Sequence, residues 1–114
     1  MTKFQRGQIW LVNFDPGFGH EYEKVRPALI IQHEKYINQS NLLTIIPISS
    51  QTTNFTSLDI HIKKDSLNRL MKDSLIKIKQ LSSFDKRRFF KFIGTVDAKI
   101  MEQVDTNIRL FLFG

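Results

Sequence analysis

The apolar residues of this chain come in short runs separated by turn chemistry, and only the C-terminal segment carries a helical period. Ile9 to Phe14 is a run of branched and aromatic residues that ends at Asp15-Pro16-Gly17, a strong turn signal. RPALIIQ (26–32) and LLTIIPI (42–48) are further strand-like runs, and Leu58-Asp59-Ile60-His61-Ile62 alternates as a half-buried strand does. Pro27 suits a first strand position or an edge, and Pro47 a strand end or bulge. Ser74 to Leu81 alternates again, with Ile76 and Ile78 on one face and Lys77 and Lys79 on the other. Lys63 to Leu70 reads as a short helical turn, FDKRRF as a basic turn, and Phe92 to Val96 as a last strand. After Asp97, a suitable N-cap, apolar residues fall at Ile100, Met101, Val104, Ile108, Phe111 and Leu112, the spacing of an amphipathic helix. Five or six short strands and one terminal helix predict a mainly β fold, a small barrel closed to hide its edges.

The chain has 114 residues, enough for one domain (1–114) to bury a core without staples. It has no cysteine, which excludes a disulfide framework, a thiol nucleophile and a thiolate zinc site. No apolar run approaches the roughly 18 residues that span a bilayer, and the first residues lack the shape of a signal peptide. The expectation is a soluble, cytoplasmic protein in a reducing compartment. Histidines lack i, i+4 spacing and carboxylates are dispersed, so neither a metal nor a cofactor is expected.

The net charge is +6, and it is concentrated. Between Lys63 and Lys91 there are ten Lys or Arg against three Asp, so this segment carries +7 and the rest of the chain −1. Such a field favours polyanions, a nucleic acid or an acidic protein tail; it also suits a solubilising surface. Arg26 stands before Pro27, which holds it extended, and its guanidinium fork matches phosphate oxygens or a surface carboxylate. Ser49 and Ser50 lie where the third strand runs out, able to donate to a phosphoryl oxygen or to satisfy the turn. His20, beside Gly19 and Glu21, is of a type that moves protons near neutral pH. Lys77 and Lys79 either track phosphates or face solvent.

Taken in order, these segments resemble the MazF/PemK-type toxins of toxin–antitoxin systems. RGQIWLVNFDPGFGHEYEKVRPALIIQ (6–32) resembles the family's opening strand, DP turn, G-(H/S)-E loop and RP strand. PISSQ (47–51) resembles its P-(I/V)-T-S segment, DSLIKIKQLSSFDKRRF (73–89) its DS strand, (D/E)-Q and ID-K block, and IGTVDAKIMEQVDTNIRLFL (93–112) its IG strand and terminal helix. The resemblance implies an SH3-like barrel with a C-terminal helix and a homodimer. It implies a metal-independent endoribonuclease that cuts single-stranded RNA to 2′,3′-cyclic phosphate and 5′-hydroxyl ends. The implied partner is an antitoxin with an acidic tail, with operator DNA bound only through that complex.

The family's key arginine matches Arg26, its key hydroxyl Ser49, and the histidine of its G-H-E loop His20; these are the expected catalytic residues. Glu21, Lys77, Lys79 and Gln80 match its RNA-contacting segments, and the loop aromatics Phe18, Tyr22 and Phe55 can stack on bases or pack locally. Serine replaces threonine at 49, Lys79 stands for an acid, and Ser82 for an arginine; these changes bear on which RNA sequence is cut. Gyrase-poisoning toxins of the same fold, which act without catalysis, and a plain RNA-binding barrel are the competing readings.

Overall fold

The computed structural model describes residues 4–14 and 25–114. The turn expected at Asp15-Pro16-Gly17 lies outside them. The architecture is a mainly antiparallel β fold with a C-terminal helix. Among the described residues seven strands form, β1 (Gln8–Asn13), β2 (Val25–Ile30), β3 (Leu42–Ser49), β4 (Ile60–Ile62), β5 (Ser74–Ile76), β6 (Ser82–Asp85) and β7 (Phe89–Thr95), with helices α1 (Glu34–Ile37) and α2 (Ala98–Phe113). The strands pair in the order β4-β5-β3-β2-β1-β7, with β6 added to β3.

β3 organises this sheet because it meets three partners. Its first half, Leu42 to Ile45, pairs with β6, and its last residues, Ile48 and Ser49, pair with β5. Pro47 sits between the two. It has no N–H to give, and its carbonyl accepts from Lys77 N–H at 3.0 Å, so the strand changes partner where a ladder bond is missing anyway. On its other side β3 pairs with β2, with Leu29 opposite Ile46.

β1, β2 and β3 are buried on both faces. Ile9, Leu29, Ile46 and Ile48 enter one apolar cluster, which α2 covers through Val104, Ile100, Met101 and Ile108. Trp10, Val12, Ala28, Ile30 and Ile45 enter a second, closed by Phe89 and by Phe4, Phe14 and Phe84. Burial on both faces explains why these strands read as continuous apolar runs rather than alternating ones.

α2 starts as expected, with the Asp97 carboxylate accepting from Ile100 N–H at 2.9 Å. It is tied to the sheet by an ion pair between Arg6 and Asp105 and by Asn107 Nδ2 donating to Leu58 O at 2.8 Å. The buried part of the apolar stripe stops short of its expected length: Phe111 and Leu112 remain exposed. Three further expectations need correction. Ser74–Leu81 is not one strand, for β5 stops at Ile76 and Ile78–Gln80 is a 3-10 turn that still buries Ile78. FDKRRF is not simply a turn, since Phe84 and Asp85 close β6 before a 3-10 turn at Lys86–Arg88. Lys63–Leu70 forms turns but no helix, because Asp65 and Asn68 side chains capture the N–H groups a helix would use. Among the described residues no helix is long and apolar enough to cross a membrane.

Val104 of α2 is fully buried against the sheet. Val104→Asp places an unpaired carboxylate there and should cost at least about 3 kcal/mol, lowering the Tm by more than about 10 °C. A melt within about two degrees of wild type would contradict this packing.

Candidate functional site

The β2–β3 ladder has a two-residue interval. Leu29 faces Ile46, and Ile31 N–H donates to Thr44 O at 3.2 Å. The next bond in this series would run from residue 27 to Ile48, and Pro27 has no N–H. The pairing ends at Ala28 opposite Pro47, and a cleft of about 860 Å³ opens beside the two strand ends. Arg26 and Ser49, each two residues past that last pair, both line it. The cleft continues over Leu11 of β1 to Lys91, Phe92 and Ile93 of β7, and the loop Arg69–Lys72 bounds it.

Four cations line this cleft, Arg26, Arg69, Lys72 and Lys91, and among the described residues no carboxylate does. None of the four has a side-chain ion pair among the described residues, whereas Arg6, Lys77 and Arg87 are paired with Asp105, Asp59 and Asp85. Ser49 is partly buried, and its Oγ accepts from Gln51 N–H at 3.1 Å. That bond fixes the hydroxyl oxygen and leaves its proton to donate into the cleft. The arrangement suits a ligand that presents several anionic oxygens to arginine and hydroxyl donors. Among the described residues no three His, Asp or Glu come together as a metal site.

Over residues 5–112 the sequence matches the family model described as PemK-like, MazF-like toxin of type II toxin–antitoxin system. The chain belongs to this family. It is 28% identical over 109 residues to Endoribonuclease EndoA of Bacillus subtilis, covering 95% of this chain and 93% of the relative. It is 25% identical over 113 residues to Endoribonuclease MazF9 of Mycobacterium tuberculosis, covering 95% of each. The fold is similar to crystalline MazF of Deinococcus radiodurans, with a TM-score of 0.74 at 21% identity over 94% of each chain. It is also similar to a mycobacterial endoribonuclease solved with its cognate antitoxin, with a TM-score of 0.75 at 16% identity over 96% of this chain and 95% of that one.

Of the residues that the MazF/PemK resemblance singles out, the cleft unites Arg26 and Ser49. His20, Glu21, Phe18 and Tyr22 lie outside the described residues. Lys79 and Gln80 are exposed on the 3-10 turn after β5 and do not line the cleft. Phe55 is exposed, its ring edge-on to His61 at 5.1 Å, also away from the cleft. Lys77 is engaged elsewhere. Its ammonium donates to Asp59 Oδ2 and Asn54 O, both at 3.1 Å, and pins the segment that follows β3. No sequence motif singles out Arg69, Lys72, Lys91 or Phe92. The excess of positive charge between Lys63 and Lys91 contains the three cations, but charge counting does not say which of ten face one cleft.

The Asp59 side chain is almost wholly buried, so losing its cation should be felt in stability. Lys77→Ala is expected to destabilise the fold by about 1–3 kcal/mol, visible as a Tm several degrees lower. An unchanged melt would free Lys77 for a role outside the fold.

Proposed function

We propose that this toxin-family chain is, as one domain over residues 1–114, a metal-independent endoribonuclease that cuts single-stranded RNA in the Arg26–Ser49 cleft. The ribose 2′-oxygen attacks the adjacent phosphorus, the P–O5′ bond breaks, and the products carry 2′,3′-cyclic phosphate and 5′-hydroxyl ends. The observation that carries this reading is the pairing of Arg26 and Ser49 in a cleft of unpaired cations, where the β2–β3 ladder stops. It agrees with the family and with relatives named endoribonucleases.

The chemistry needs charge stabilisation at a crowded phosphoryl group and two proton transfers. Arg26 is exposed and extended at the cleft mouth, and its fork can hold two phosphoryl oxygens as charge builds on them. Ser49, with its oxygen already held by Gln51 N–H, donates to the same group. Serine here lacks the branched carbon that limits a threonine rotamer, and the Gln51 bond supplies that restraint instead. His20 is the residue suited to moving protons; Glu21, Lys77, Lys79 and Gln80 are assigned to RNA contact on the family pattern alone, and the loop aromatics Phe18, Tyr22 and Phe55 on the capacity of their rings to stack on bases. Single-stranded RNA fits because its unstacked bases and exposed backbone are reachable together.

The protein works as a cytoplasmic homodimer restrained by an antitoxin whose acidic tail takes the place of RNA, with operator DNA met only through that complex. The solved complex of a mycobacterial relative with its antitoxin supports such a partner, and so does the charge of the cleft.

The test is a long RNA incubated with the protein in EDTA, with ends mapped and Arg26→Ala alongside. Discrete cuts with cyclic-phosphate termini are expected. Arg26→Ala should lower the rate at least about a hundredfold, as removal of a transition-state donor does, and should melt within about two degrees of wild type because Arg26 is exposed. Ser49→Ala should cost about tenfold or more, and Ser49→Thr should retain activity. RNA retarded in a native gel without new ends would refute the nuclease and leave a binding module.

A further inference from the structure

We propose that Arg69 is a second phosphate-binding arginine of the cleft, holding the RNA backbone at a phosphate other than the one Arg26 clamps. The inference deepens the reading above and rests on it in taking the occupant to be RNA. Arg69 has φ of 57°, and among the described residues it is the one residue other than glycine with a positive φ. An L residue with a long side chain is disfavoured in this left-handed region, where glycine or asparagine would sit at less cost. Asn68 is the adjacent residue, yet the positive φ falls on the arginine. Such an outlier survives only where its surroundings over-determine it, and it points toward function.

The surroundings do over-determine it. Arg69 N–H donates to Asp65 O at 2.9 Å. The Asp65 carboxylate accepts from Leu67 and Asn68 N–H at 2.9 and 2.7 Å. Asn68, itself buried, accepts from Asp65 and Leu70 N–H and donates to Lys63 O at 2.8 Å. These side-chain bonds of Asp65 and Asn68 all go to backbone within the same loop. The loop then lies directly on β7. Thr95 N–H donates to Leu67 O at 3.1 Å, and a Cβ on Gly94 would stand 2.5 Å from Asn68 O. Glycine at 94 therefore permits a seat that no other residue would, and the seat fixes the loop at the cleft. The Arg69 side chain has no ion pair or hydrogen bond among the described residues, and it lines the same cleft as Arg26. An arginine whose backbone is fixed at the cleft, and whose guanidinium meets no carboxylate among the described residues of the lining, suits a phosphate.

Arg69→Gly removes the guanidinium and suits the backbone, so it separates binding from folding. The measurement is fluorescence anisotropy of a 2′-O-methyl RNA oligonucleotide, whose blocked oxygen cannot attack, against salt concentration, for wild type, Arg69→Gly, Arg69→Lys and Arg26→Ala. Arg69→Gly should bind about tenfold more weakly at low salt. Its slope of log K on log salt should be shallower by about 0.7, the change expected when one phosphate fewer is neutralised on a single strand. Its Tm should equal or exceed that of wild type. Arg69→Lys should recover the slope. Wild-type affinity and slope in Arg69→Gly, with Arg26→Ala weakened, would overturn the role of Arg69 and leave the RNA cleft standing. No binding by the wild type would overturn both.

Discussion

Pro27 lacks the N–H that would carry the β2–β3 ladder one bond further, to Ile48, and pairing stops at Ala28. Two strands that are paired and buried on both faces up to that point lose their hydrogen bonding at the next, and the chain cannot close the gap by any backbone adjustment. Arg26 precedes the proline and is held extended by it. Ser49 follows Pro47, which marks the change of partner on the opposite side of β3. Both candidate side chains thus stand at backbone positions dictated by a nearby missing donor, with the core behind them, Ile46 and Ile48 in one cluster and Ile45 in the other.

The long-range part of the fold is legible where burial leaves a plain trace. Strands buried on both faces write continuous branched runs, and the terminal helix writes its period from Asp97 onward. What is not legible depends on contacts distant in sequence. β6 begins with two serines, which carry no strand signal, and exists because the first half of β3 needs an edge partner. Lys77 alternates with Ile76 and Ile78 as an outward residue should, but Asp59, remote in sequence and buried beside it, takes its charge. Phe111 and Leu112 keep the helical period but remain exposed.

The site divides in the same way. Arg26 and Ser49 can be found because each lies close to a proline in a recognisable motif. Arg69 cannot, since its significance lies in a dihedral angle and in a glycine on another strand. The run Asp65-Ser66-Leu67-Asn68-Arg69 reads as part of a short helical turn, and nothing in it says that the segment instead forms a loop resting on β7 at Gly94. The Lys63–Lys91 charge excess resolves, in three dimensions, into cations with different duties: Lys77 and Arg87 are neutralised locally, whereas Arg69, Lys72 and Lys91 gather with Arg26.

Four exposed positive groups with no carboxylate among the described residues of the lining give the cleft a positive field. Any polyanion that binds this cleft in the folded chain alone adds its binding free energy to folding by mass action. An acidic partner would therefore act as a folding ligand as well as a block. The free molecule would be the form most readily opened and degraded, and one seated on either partner would outlast it.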